Sequence, residues 1–129
     1  MNAQTEVYAI YYDQELNSVI MDWDGYATSS QFREGTETML NILIKNHATK
    51  VLADIKDMVI IGMEDQSWLE KQFLPRAIQF GFKACAMVKP DSYFNKVAVE
   101  SISYKVDQEK LLIKFFDTAE EAKEWLKGF

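Results

Sequence analysis

The sequence predicts one α/β domain in which a mostly parallel five-stranded sheet, entered through an N-terminal hairpin, alternates with four helices. Three observations carry this expectation. Short runs rich in Val, Ile and Tyr recur between amphipathic stretches, helix-capping residues stand in front of the predicted helices, and 48% of the 129 residues are hydrophobic with only five glycines and two prolines. A chain of this length closes a single core without a disulfide or metal staple, and its composition sets disorder aside.

Residues 6–12 and 18–23 are separated by the polar stretch 13–17, the pattern of a β-hairpin with a loop of about five residues. Asp24 and Gly25 end the second strand. Thr28 and Gln31 have the spacing of a capping box. The helix they open runs to about Asn46, with Phe32, Met39 and Leu43 on one face and Arg33, Glu34, Glu37 and Lys45 mostly away from it. Residues 50–55 form an apolar run closed by Lys56 and Asp57, as expected of a strand covered on both faces. After the break at Gly62 a second helix opens near Glu64 and Asp65, whose charges suit a helix N-terminus, and turns Leu69, Phe73, Ala77 and Phe80 inward. Pro75 predicts a kink or a fresh start inside it, and Gly81 its C-cap.

Residues 83–88 form a strand whose small Ala84, Cys85 and Ala86 predict a closely packed helix, and Lys89 and Pro90 close it. Asp91 and Ser92 then cap a third helix with a stripe of Phe94, Val97, Ala98, Ser101 and Ile102. Residues 111–116 are the last strand, and Thr118 with Glu121 forms a capping box for a helix that buries Ala122, Trp125 and Leu126. The order β-β-α-β-α-β-α-β-α requires crossovers. The last four strands are therefore expected to be parallel, with right-handed connections, and the first strand antiparallel at the hairpin. There is no internal repeat, linker or charge block, so residues 1–129 read as one domain.

Twenty Asp and Glu against 14 Lys and Arg give a formal charge of −6, which disfavours nucleic acid, whose binders concentrate cations against phosphates. The N-terminus lacks a basic and apolar leader pattern, and no apolar run approaches the ~20 residues that span a bilayer, so neither export nor membrane insertion is expected. Cys85 is the only cysteine, which excludes an internal disulfide and suits the reducing cytoplasm.

The segments Trp23-Asp24-Gly25-Tyr26, Phe32-Arg33-Glu34-Gly35, Leu52-Ala53-Asp54, Pro75-Arg76-Ala77 and Gly81-Phe82-Lys83 follow one another along the chain. Together with 64–68 and the ending 116–126, they resemble the SpoIIAA-like group of STAS-fold proteins, small bacterial domains, over nearly the whole length. The resemblance implies the STAS-type sheet and a binding or regulatory module that often self-associates, here as a homodimer. Anti-sigma-factor antagonists of this fold carry a regulatory serine just after the strand that corresponds to 50–55. Here the chain reads Asp54-Ile55-Lys56-Asp57-Met58, with no Ser or Thr before Ser67, so a phosphorylation switch of that kind is not expected.

Asp22, Asp24, Asp54, Asp57, Asp91 and Asp117 fall at the carboxyl ends of predicted strands, the rim where open α/β sheets hold ligands. With Lys89 they could hold Mg²⁺ and accept a phosphoryl group. Strand-ending and helix-capping duties explain them more simply. Trp23, Tyr26, Trp68 and Phe73 suit an apolar pocket or a dimer surface, although core packing is the first expectation. His47 stands alone at a helix end where a cation is favoured, and Cys85 sits between alanines as a small buried hydrophobe. The sequence holds no phosphate loop, zinc spacing or nucleophile elbow. A non-enzymatic binding or regulatory domain without cofactor or metal follows, meeting a ligand or protein partner through a surface of Trp23, Asp24, Tyr26, Asp54, Asp57 and Trp68. The alternatives are Mg-dependent phosphotransfer on the aspartate rim and a carrier of a small apolar or lipid-like ligand beneath Trp23 and Trp68.

Overall fold

A computed structural model describes residues 3–59, 62–91 and 93–128. Six strands lie side by side in chain order: β1 (Ala3–Gln4), β2 (Tyr8–Asp13), β3 (Ser18–Gly25), β4 (Lys50–Met58), β5 (Ala84–Val88) and β6 (Leu112–Phe116). The first two junctions are antiparallel and the last three parallel. The four strands expected to run together do so, and the hairpin strand opposes them. The short β1 is an addition on the outer edge. Helices α1 (Ser29–Lys45), α2 (Met63–Trp68), α3 (Leu74–Gln79), α4 (Tyr93–Lys105) and α5 (Ala119–Lys127) complete the chain. Among the described residues no helix is long and apolar enough to cross a membrane.

Successive strands are neighbours, so the crossovers through α1, α2–α3 and α4 lie on the same side of the sheet. Their apolar faces pack with Val19, Met21, Trp23, Val51, Ala53, Ile55 and Cys85 in the main core. Among the described residues only α5 covers the opposite side, where Ala122 and Leu126 meet Ile20, Leu52, Ala86 and Val88. The small Ala86 lets this helix approach, as its sequence predicts. The buried Lys50 Nζ donates to Leu126 O (3.1 Å), placing a cation at the negative end of α5.

Local signals account for the helix ends. Thr28 Oγ1 accepts from Gln31 N (3.2 Å), while Gln31 Oε1 accepts from Thr28 N (3.0 Å), which completes the predicted capping box. At α5 only half of the box forms. Thr118 Oγ1 accepts from Glu121 N, but the Glu121 carboxylate takes the Thr118 hydroxyl proton and not the backbone N–H. Helix α1 closes on a Schellman turn, with His47 N donating to Ile44 O (3.1 Å) and Ala48 N to Leu43 O (2.9 Å). His47 occupies the left-handed position at φ 53°.

Three expectations need correction. Strand β3 continues through Asp24 to Gly25, and β4 through Lys56 and Asp57 to Met58, because Asp24 pairs with Asp57 and Gly25 with Met58 beyond a bulge. Pro75 does mark a fresh start, since it stands in the first turn of α3 as expected. A π-helical turn at Leu69–Phe73 joins α2 to α3, with Leu74 N bonding to Leu69 O, which accommodates the proline by widening the preceding turn. Phe80 lies at the C-cap and is exposed. On α4 the buried residues are Ala98, Val99, Ile102 and Ser103, while Val97 and Ser101 face solvent, so the packed face is rotated from the expected stripe. Ser92, assigned to the α4 cap, and the side chain of Phe94 lie outside the described residues.

A β-carbon in the left-handed region carries a steric penalty of order 1 kcal/mol. His47→Gly is accordingly expected to raise stability by about 0.5–1 kcal/mol in urea denaturation, with an unchanged m-value.

Candidate functional site

The face of the sheet beneath α1, α2–α3 and α4 is built in rows. Ile10, Met21, Ala53, Met87 and Phe115 stand in register across β2 to β6, and Tyr12, Val19, Val51, Cys85 and Ile113 form the adjacent row. Ala53 and Cys85 are the small members at the middle of these rows. Above them the helices are held apart by Phe32, Met39, Phe73, Leu74 and Ile102, and a cavity of about 90 Å³ remains.

Among the described residues the lining is apolar apart from two hydroxyls, and each is already bonded within its own helix. Thr36 Oγ1 donates to Phe32 O (2.7 Å) and Ser103 Oγ to Glu100 O (2.8 Å). Cys85 is the one titratable side chain among the described lining residues. Burial pushes its thiol up to about 12, so it is neutral and a poor nucleophile at physiological pH. The cavity therefore offers contact area and little else.

Aromatic side chains form its wall. Ring centroids follow one another from Tyr8 to Trp23 (5.1 Å), Phe32 (5.9 Å), Trp68 (6.2 Å) and Phe73 (5.4 Å). Gly35 makes the first part of this wall possible, since a β-carbon there would lie 2.6 Å from Trp23 Cη2. The Tyr8 hydroxyl donates to Glu34 Oε1 (2.9 Å), and burial together with that carboxylate raises its pKa. Two arginines of α1 and α3 fasten the wall. Arg33 Nε reaches the buried Asp65 Oδ1 (3.0 Å), which also accepts from Ser29 Oγ (2.6 Å), and the guanidinium lies 5.2 Å above the Trp68 ring. Arg76 pairs with Glu37 (2.8 Å) and covers Phe73 at 5.5 Å.

The six residues singled out from the sequence fall into three groups. Trp23 is buried and lines the cavity, and the half-buried Trp68 joins it through Phe32. Asp24 follows Trp23 on the strand and points the other way, toward the face that α5 covers only in part. Asp22 and Asp54 are in register on that face, Asp57 pairs with Asp24, and Asp54 Oδ1 accepts from Lys56 N (3.2 Å). Tyr26 is exposed beyond the strand and belongs to neither group. Asp91 lies after β5, and Asp117 pairs with Lys89 (3.3 Å). Among the described residues no three His, Cys, Asp or Glu side chains converge as metal ligands do. Sequence periodicity marked Phe32, Met39 and Phe73 as core, but nothing local announced the void between them. The Asp65 clasp was also illegible, since its partners lie more than thirty residues away.

The ordered strands, the helices on one side and the single closing helix on the other define an α/β domain of SpoIIAA-like type. The sequence profile of the SpoIIAA-like family matches residues 18–127, and the chain belongs to that family. Among solved structures it is similar to an uncharacterised DUF3478-family protein with a SpoIIAA-like fold from Shewanella loihica PV-4. The two are 18% identical, the match covers 98% of each chain, and the TM-score is 0.65. At that identity the likeness establishes the fold alone. No curated protein matches the chain.

Gly35→Ala is expected to destabilise by about 1–3 kcal/mol despite alanine's better helix propensity, because the ring it displaces is packed on all sides. Chemical denaturation measures the loss, and the Trp fluorescence maximum should shift with it. Desolvation first, then the charges of Asp54, Asp24 and Asp57, raises the pKa of Asp22. A raised carboxyl pKa means the folded state resists ionisation, so the associated stability is present at low pH and lost as pH rises through the folded-state value. Asp22→Asn should therefore raise the melting temperature near pH ~7 and leave it unmoved near pH ~3, where the carboxyl is protonated in both states.

Proposed function

We propose that this chain is a non-enzymatic cytoplasmic binding domain whose cavity beneath Trp23 receives a small apolar molecule. One observation carries the proposal: a partly open apolar space with small residues at its floor and aromatic and Met side chains around it, in which the two hydroxyls among the described residues are already satisfied. A polar guest would have to give up its own hydrogen bonds with water and find no partner, whereas an apolar guest gains contact with every wall. Methionines at positions 21, 39, 58 and 87 suit such a role, because unbranched side chains repack around guests of different shape. The wall of α2, the π turn and α3 is the part positioned to report occupancy to a protein partner or a second copy. It contributes Leu69, Phe73 and Leu74 to the lining and is joined to α1 by polar clasps at the surface. The bonding of Lys89 to Asp117 and of Asp54 to the Lys56 N–H gives phosphotransfer less support than apolar binding.

Xenon is a suitable first probe, since it needs volume and apolar contact alone. Xenon NMR is expected to show saturable uptake by the natural chain and none by Ala53→Leu, whose added carbons occupy the space. Native mass spectrometry of protein taken from cells should show a retained apolar adduct that the same variant lacks. Equal xenon response from both chains, or no response from either, refutes the proposal.

A further inference from the structure

We propose that a second site, separate from the cavity, binds a phosphate group in the recess between the carboxyl ends of β4, β5 and β6 and the start of α4. Lys56, Lys89 and Lys96 line this recess of about 370 Å³ together with Pro90, Asp91 and Asp117, and none of these residues lines the apolar cavity. Three lysines against two aspartates leave one net positive charge, in a protein whose total is −6. The loops that carry them are fixed by their backbones. Asp91 N donates to Lys56 O (3.0 Å), and Lys89 N donates to Phe116 O (2.9 Å).

The charges are arranged at a cost that an anion would remove. Lys96 lies in the first turn of α4, a 13-residue helix with no acidic residue there, where the helix dipole disfavours a cation. Lys56 and Lys96 form no ion pair among the described residues, so two ammonium groups are available without breaking one. Lys89 is held by Asp117 at 3.3 Å, which orients it at the mouth. Freely rotating ammonium groups beside a helix N-terminus suit a tetrahedral dianion, which takes donors from several directions, better than a planar carboxylate. The location, outside the carboxyl ends of parallel strands, is where sheets of this kind hold their ligands. The phosphate could belong to a soluble phosphomonoester or to a phospholipid headgroup, and both present the same chemistry to these lysines.

Inorganic phosphate and glycerol 3-phosphate titrated into the full chain should give saturable NMR shifts at the backbone signals of Lys56, Lys89 and Lys96. Lys56→Gln and Lys96→Gln are each expected to weaken binding about tenfold, the loss of one charge-assisted contact. Lys123→Gln, on exposed α5, should leave it unchanged. Lys56 and Lys96 are both exposed, so the variants should fold. Lys96→Gln should melt slightly higher than the natural chain without phosphate, which separates a binding defect from a folding defect. Co-sedimentation with phosphatidylcholine vesicles containing phosphatidic acid, lost in the same two variants, would assign the phosphate to a headgroup. Binding of glycerol 3-phosphate without vesicle binding would assign it to a soluble ligand. Shifts that never saturate, or an equal loss in Lys123→Gln, would overturn the proposal by showing diffuse attraction to lysines in general.

Discussion

The contact between the Trp23 ring and the bare backbone of Gly35 sets the distance at which α1 rides over the sheet, and the arrangement on that face follows from it. The ring carries the helix at one end of the layer. Toward the centre the floor falls away to Ala53 and Cys85, and a straight helix cannot descend to meet them. Native interiors tolerate few such voids because the lining atoms forfeit dispersion contacts. The aromatic chain from Tyr8 to Phe73 and the two arginine clasps hold the space open by fixing its walls to each other and not to a common centre.

Strand order decides what the two faces can do. Because consecutive strands are adjacent, each crossover returns on the same side, and among the described residues one face receives three helical segments while the other has α5 alone. The crowded face holds the apolar space. The sparsely covered face can place aspartates at strand positions without fully burying them, as it does with Asp22, Asp24 and Asp54. Tryptophans and aspartates that are neighbours in sequence are therefore separated by the thickness of the sheet. A single surface made from Trp23 and Asp24 together would need the pleat to be broken.

Much of the fold was legible in the sequence, because its signals are local. Thr28 with Gln31 marks a helix start within four residues, and the Val- and Ile-rich runs at 18–23 and 50–55 mark strands covered by neighbours. Legibility failed where partners are distant. The strands β3 and β4 outrun their apolar runs because each supplies the other's hydrogen bonds past the bulge. The burial of Asp65 depends on Ser29 and Arg33 of another helix, and the turn of α4 is set by the sheet beneath it, not by its own weak periodicity. The lysine recess is of this kind too. Lys56, Lys89 and Lys96 are dispersed in the chain, and only the closing of three strands against one helix brings them together.

The solitary thiol has a practical meaning. Cys85 stands at the floor of the void with its proton held to about 12, so in the closed protein it is shielded both sterically and electronically. An alkylating reagent can capture it only during excursions that part the helices from the sheet, and the rate of capture counts those excursions. The molecule thus carries its own clock for breathing motions, installed at the floor of the apolar space.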